Sequence, residues 1–392
     1  MLGGFQNILP PMNSNRPLNV MQLLPALEGG GVERGTLEMA RAMVDRGWKS
    51  IVMSAGGRMV AQLEKEGSIH VTAPIGSKSP LTLLQLPRLL SLCRSHSIDI
   101  LHARSRIPAW LAWFAVRLLS SKDRPVLVTT MHGLHSVNFF SSIMTRGDHV
   151  IAVSETAREF ALEHYSQLKA DRLHIVFRGV DPGEFPRGFQ PDKDWQNQWF
   201  EKYPRCRGAR LVCLPGRITR RKGHLEFVEL IAAMRQRDTR VLGLIVGSWD
   251  PRHKRLVDEI KAQARFCGIE KSLIWAGHRS DMRSIYAICD LVVSLSQKPE
   301  SFGRSMLEPL SMGKRCAGLD HGGVGEVLEH MFPAGKLSVR QNAQQWADQC
   351  MGLLESKSPF PLPNAFPLGD MLTREMTLYE EWVNHRMNND IL

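Results

Sequence analysis

Four side chains define the chemistry this sequence can do. In LPGRITRRKG (214–223), Arg217 and Lys222 stand five apart across a turn that follows an apolar run. A fork-shaped guanidinium and a mobile ammonium can converge on the same phosphate oxygens and suit a departing diphosphate. In PESFGRSMLE (299–308), Glu300 and Glu308 flank Phe302-Gly303, where an apolar run gives way to a helical period. The first free amides of that helix can face a phosphate. A carboxylate accepting hydrogen bonds from two vicinal hydroxyls is a common grip on a ribose. Glu308 fits that task, with Glu300 in the loop at the edge of a cleft. The plainer readings are a solvated basic loop and a pair of helix N-terminal acids, and the latter fits Glu300 better than Glu308.

Further stretches share the theme of anion binding. In EGGG (28–31), Gly30 and Gly31 let the backbone approach an anion at a helix N-terminus. The spacing departs from G-x-G-x-x-G, which disfavours a dinucleotide fingerprint, and a tight turn explains the glycines equally well. HARSR (102–106) follows an apolar run. Arg104 and Arg106 either meet an anionic acceptor in the N-terminal cleft or cap a helix at the surface. DKD (192–194) has metal-binding spacing, yet it lies in a polar connection and reads as solvated.

Elements that position such residues are visible as short apolar runs alternating with longer amphipathic ones, the pattern of βα units and a parallel sheet. Strand candidates fall at 19–27, 49–55, 69–75, 99–103, 125–131, 149–154 and 173–179. A second series runs through 209–216, 240–247, 272–277, 290–296 and 314–320. Residues 181–208, rich in Pro, Gly and charge, read as a connection between domains. The expected organisation is an extension at 1–17, a first α/β domain at 18–180, a second at 209–370, and a final helix within 371–392 that packs back on the first. The fold class is thus two doubly wound α/β domains with a cleft between them.

The 392 residues carry 50 Lys+Arg against 39 Asp+Glu, a formal net charge of +11. Residues 1–180 hold 20 basic and 13 acidic side chains, so most of the excess lies there. Such a surface suits polyanions: nucleic acid, anionic lipid headgroups or phosphorylated sugars. The seven cysteines include no C-x-x-C pair and sit mostly in apolar runs, which fits reduced buried thiols in the cytoplasm. No signal peptide is recognisable, and the longest apolar stretch, IPAWLAWFAV at 107–116, is too short to span a bilayer. One face of LTLLQLPRLLSLCRSH (81–96) is apolar, either a buried helix face or a membrane contact.

Taken in order, these stretches resemble the GT-B glycosyltransferases of family 4 (glycosyl transferases group 1), including lipopolysaccharide core enzymes. The resemblance runs from about 18 to 388. Its carriers are Gly30 to Glu33, His132 in TTMHG, Ser154, Gly179-Val180-Asp181, Gly216-Arg217, Lys222-Gly223, Gly277 in IWAGHRSDM, Glu300 through Glu308, and Gly322-Gly323 with Glu326. It implies two Rossmann-like domains facing a deep cleft. It also implies retaining transfer from a nucleotide-diphosphate sugar with no metal and no other cofactor. Arg217 and Lys222 then hold the diphosphate, Glu308 the ribose and Glu300 the transferred sugar. Gly30 and Gly31 close over the phosphates, joined by the amides at Phe302 and Gly303. Backbone around Gly277 and His278 meets the base, and His132 lies near the reaction centre. Three departures stand out: Pro309 where the family has Ala, Arg178 where Asn is common, and Lys314-Arg315-Cys316 in place of Pro-Val.

The expected function is extension of a cell-envelope glycan, foremost lipopolysaccharide core, on the cytoplasmic face of the inner membrane. The acceptor would be a phosphorylated glycolipid or core oligosaccharide, with peripheral contact to anionic lipid. Rival readings are a nucleotide-sugar epimerase of GT-B-like fold and a basic lipid- or nucleic-acid-binding module without catalysis. Nucleic acid is not an expected partner, because aromatic–basic interleaving and RNA-binding signatures are missing.

Overall fold

The computed structural model describes residues 16–356 and 360–389. Most of the N-terminal extension, residues 1–15, lies outside the described residues.

Seven parallel strands form the first sheet among the described residues: β1 (Asn19–Leu23), β2 (Lys49–Ser54), β3 (Ile69–Thr72), β4 (Ile100–Ala103), β5 (Val126–Met131), β6 (His149–Ala152) and β7 (Leu173–Ile175). Their order is β3-β2-β1-β4-β5-β6-β7. The second sheet holds β8 (Arg210–Pro215), β9 (Val241–Val246), β10 (Leu273–Gly277), β11 (Leu291–Ser294), β12 (Cys316–Leu319) and β13 (Lys336–Leu337), in the order β10-β9-β8-β11-β12-β13. Both are doubly wound. In each, strand order reverses beside the first strand, which opens a crevice at the strands' carboxyl ends. Helices cover both faces, so strands such as β5 and β9 are buried along their whole length. This is why they read as unbroken apolar runs.

The stretch between the domains is more ordered than its composition suggests. Helix Lys193–Lys202 occupies its centre, and the Asp192 carboxylate caps it by accepting from the Trp195 amide at 2.7 Å. Trp195 and Trp199 stack with ring centroids 5.3 Å apart, and Trp199 is buried. Trp195 Nε1 also donates to Asp281 at 2.7 Å, which ties the connection to the second domain. The first acid of DKD is therefore a helix cap.

From the second domain the chain returns beside Val180, whose amide donates to the Phe366 carbonyl at 3.1 Å. Helix Leu368–Asn389 then lies on the first domain. Its Tyr379, Trp382 and Val383 join Leu18, Val20, Ile100 and Val128 in one buried cluster.

Candidate active site

Four of the loops that matter leave the carboxyl ends of strands. Helix Gly31–Asp45 opens after β1 and His132 directly follows β5. The loop holding Arg217 and Lys222 follows β8, and 295–303 follows β11. Between them lies a cavity of about 540 Å³. Two glycines set its second-domain wall. Gly223 has φ +73°, and a Cβ there would come within 1.9 Å of the Leu295 carbonyl oxygen. Gly303 has φ +94° and begins helix Arg304–Ser311, with its Cα side packed on Val324. Any other residue at 223 would push the loops after β8 and β11 apart, and at 303 would press on Val324, with both positions needing a left-handed backbone.

Among the described residues six cations line the cavity: Arg178, Arg217, Arg221, Lys222, Lys298 and Arg304. Glu300 is the one lining carboxylate among the described residues. Lys222 Nζ donates to Glu300 Oε1 at 2.7 Å, and Ser296 Oγ donates to the same oxygen. Burial alone would raise the Glu300 pKa, but Lys222, Ser296 and Arg221 more than offset it and hold the carboxyl below its usual range. Glu300 is therefore ionised at neutral pH. Arg217 makes no side-chain hydrogen bond or ion pair among the described residues and stays open to a ligand.

Glu308 sits behind this wall and does not line the cavity. Its carboxylate accepts from Tyr286 at 3.0 Å and forms an ion pair with Arg304 Nε at 3.3 Å. Arg304 in turn reaches Glu38 of helix Gly31–Asp45 at 2.7 Å, so one guanidinium joins carboxylates from both domains. Burial pushes the Glu308 pKa up, with Arg304 and Arg34 opposing it. Pro309 stands inside the helix without preventing these contacts.

His132 lines the cavity and is neutral. Burial, then the nearby Arg178 and Arg104, push its pKa well below the usual value. Arg178 Nη2 lies 3.2 Å from His132 Nδ1. An arginine only donates, so Nδ1 accepts and the ring proton sits on Nε2. That Nε2 is buried with no partner among the described residues, an open donor beside the cleft.

The remaining expected residues divide. Gly31, Phe302 and Gly303 line the cavity. Gly30 lies just outside as the cap of helix Gly31–Asp45, its amide bonded to Glu33 at 2.6 Å. Gly277 and His278 are exposed at the end of β10, apart from the cavity. Arg106 is half-buried, bonded to Ser141 at 3.3 Å. Arg104 corrects its expectation. It is buried and bonded to Gln22 at 2.6 Å and Glu375 at 2.7 Å, so it faces the C-terminal helix and cannot reach an acceptor.

Direct bonds close the cleft from side to side. Ser301 Oγ donates to the His132 carbonyl at 2.7 Å, and Ser154 Oγ donates to the Ser301 carbonyl. The Glu326 carboxylate accepts from the amides of Glu155 at 2.9 Å and Thr156 at 3.1 Å, at the N-terminus of helix Glu155–His164. A second-domain acid thus caps a first-domain helix.

Residues 29–184 match the family model of Glycosyltransferase Family 4, and residues 196–366 match that of Glycosyl transferases group 1. The chain belongs to these GT-B glycosyltransferases. A glycosyltransferase from Rickettsia africae superposes with a TM-score of 0.77 at 27% identity, over 93% of this chain and 98% of that one. Anabaena Alr3699/HepE, solved with UDP and glucose, gives 0.73 at 20% identity, over 95% of this chain and 99% of that one. N-acetyl-alpha-D-glucosaminyl L-malate synthase of Bacillus anthracis is 24% identical over 290 residues, 71% of each chain.

In this glycosyltransferase, sequence reasoning passed over Ser296, Lys298 and Arg304 as cleft residues. Arg304 had a signal, since it stands four positions before Glu308 on one helix face. Ser296 and Lys298 had none, because only the loop's path turns them inward.

Proposed function

We propose that this glycosyltransferase moves a sugar from a nucleotide-diphosphate sugar to an anionic cell-envelope glycan, foremost lipopolysaccharide core, with retention at the anomeric carbon and without a metal. The carrying observation is the cavity at the carboxyl ends of both sheets, lined among the described residues by six cations and the single carboxylate Glu300. Arg304 is paired with Glu38 and Glu308, and Lys222 with Glu300. Arg178, Arg217, Arg221 and Lys298 have no carboxylate partner among the described residues, which favours a second anion beside the diphosphate, supplied by the acceptor. The Bacillus anthracis relative is named for an L-malate product, which also supports an anionic acceptor.

Arg217, Lys222 and the free amides after Phe302 take the diphosphate. The bond between the anomeric carbon and the phosphate oxygen breaks, and these groups stabilise the charge left on that oxygen. The acceptor hydroxyl attacks from the same face and passes its proton to the departing oxygen, so no protein base is required. Glu300, ionised and fixed by Lys222 and Ser296, orients sugar hydroxyls by accepting their hydrogen bonds. His132 Nε2–H donates to the sugar from the other side. Glu308 takes the ribose hydroxyls once Arg304 yields to the nucleotide.

A panel of nucleoside diphosphates and nucleotide sugars, read by thermal shift, tests the donor assignment. The folded protein is expected to be stabilised by at least one of them, and Arg217→Ala to lose that stabilisation. Stabilisation by none would reject the reading.

A further inference from the structure

The first domain carries a second cavity of about 540 Å³. Its walls include Leu83, Ile107, Trp110, Phe114, Phe139 and Phe140. The apolar surface continues outside it: Leu81 and Leu84 are 67% and 70% exposed, and Phe139 is 71% exposed. Large apolar side chains held in water over a contiguous patch mark a docking surface.

The charges around this patch identify its partner. Arg117 lies 3.5 Å from the centroid of the Trp113 ring, Arg146 5.2 Å from that of Phe139, and Arg106 5.8 Å from that of Phe140. None of the three pairs with a carboxylate among the described residues; Arg106 bonds Ser141, and Arg117 bonds the Trp113 carbonyl. The three segments that build the patch, 77–96, 104–118 and 132–147, contain no Asp or Glu at all. Exposed rings with guanidinium groups on them match the boundary of an anionic bilayer, where rings enter the acyl region and cations remain at the phosphates. A second copy of this chain fits poorly. A two-fold contact would set this patch, with Arg106, Arg117 and Arg146, against an equally basic copy of itself.

We propose that this face docks on an anionic lipid bilayer, with one acyl chain entering the cavity. The loop after β5 connects the patch to the active site. Gly133, Leu134 and His135 line the catalytic cleft, while Phe139 and Phe140 line the apolar cavity. His135 and Phe139 are four residues apart, at most about 14 Å along the chain. A docked enzyme therefore opens its cleft within one loop's length of the membrane surface, where a lipid-borne acceptor projects. Only that presentation rests on the transferase reading; docking itself requires no turnover.

Co-sedimentation with vesicles tests the proposal. The full chain is expected to sediment with vesicles of phosphatidylcholine and phosphatidylglycerol, far less with phosphatidylcholine alone, and less at roughly 500 mM than at 50 mM salt. The triple variant Leu81→Ser, Leu84→Ser, Phe139→Ser alters exposed side chains only. It should bind anionic vesicles about tenfold more weakly while keeping its melting temperature and its nucleotide-induced shift. Equal binding by the variant overturns the proposal, as does self-association abolished by the triple variant in a protein that ignores vesicles. Vesicle binding without transfer to any lipid-borne acceptor would sink the acceptor reading and leave the docking surface standing.

Discussion

Lys222 Nζ lies 2.7 Å from Glu300 Oε1, bonding two residues for which separate tasks on the donor are proposed. The ammonium has three donors and spends one on Glu300, so two remain for phosphate oxygens. The pair keeps the carboxylate ionised and holds the ammonium at the cavity wall before any ligand arrives.

If the pair works as a unit, Lys222→Ala and Glu300→Gln should each lower kcat/KM by about 10²-fold. The double variant should lose much less than the product of the two. Steady-state kinetics of all four proteins form the test, and strictly multiplicative losses would separate the two roles.

Glu308→Ala removes an acceptor from Tyr286 and an ion-pair partner from Arg304, yet Arg304 keeps Glu38. The expected result is a folded enzyme whose donor KM rises about 10- to 100-fold, the worth of one or two charged hydrogen bonds. A donor KM within twofold of the parent would remove Glu308 from the ribose.

Arg104 and Glu375 form a buried ion pair at 2.7 Å beneath the C-terminal helix. Burial alone would raise the Glu375 pKa, but Arg104 and His102 hold it well below the carboxylate range. Arg104→Met strands that charge and should cost about 3–5 kcal/mol in denaturant unfolding. Acceptor KM should stay unchanged at temperatures where the variant is folded. A raised acceptor KM with full stability would restore Arg104 as a binding residue.

Buried histidines make stability sensitive to acid. Burial and the neighbouring Arg104 push the His102 pKa to about 4, and burial pushes His224 to about 4 as well. Between that value and the unfolded value near 6.5 the unfolded chain binds more protons, so stability rises with pH across this window. It is fully present above about 6.5 and is lost as pH falls toward 4. His102 alone accounts for about 3 kcal/mol. Melting temperatures measured from pH 7 to 4.5 should fall, and a flat profile would contradict the burial of these rings.

On the proposed mechanism, activity should persist in excess chelator, with Arg217 and Lys222 supplying the positive charge that a divalent ion otherwise brings to a diphosphate. Strict dependence on an added divalent cation would reject the metal-free mechanism.

The sequence by itself determined the twofold α/β plan, since strands buried on both faces must be apolar throughout and cannot hide among polar segments. It also determined which residue types stand after β1, β8 and β11, because a parallel sheet delivers those turns to the same edge. Tertiary structure decided the partners. Glu300 is 78 residues from Lys222, and Glu375 is 271 residues from Arg104. No local period reports such pairs. HARSR looks the same whether its first arginine meets solvent or a helix that arrives from the far end of the chain. Helix Lys193–Lys202 read as a loop for a related reason: its stability comes from Trp199 buried in the assembled protein, not from a strong apolar stripe of its own. Charge and spacing announce that a site exists, and only the packed chain shows which charges remain free to act in it.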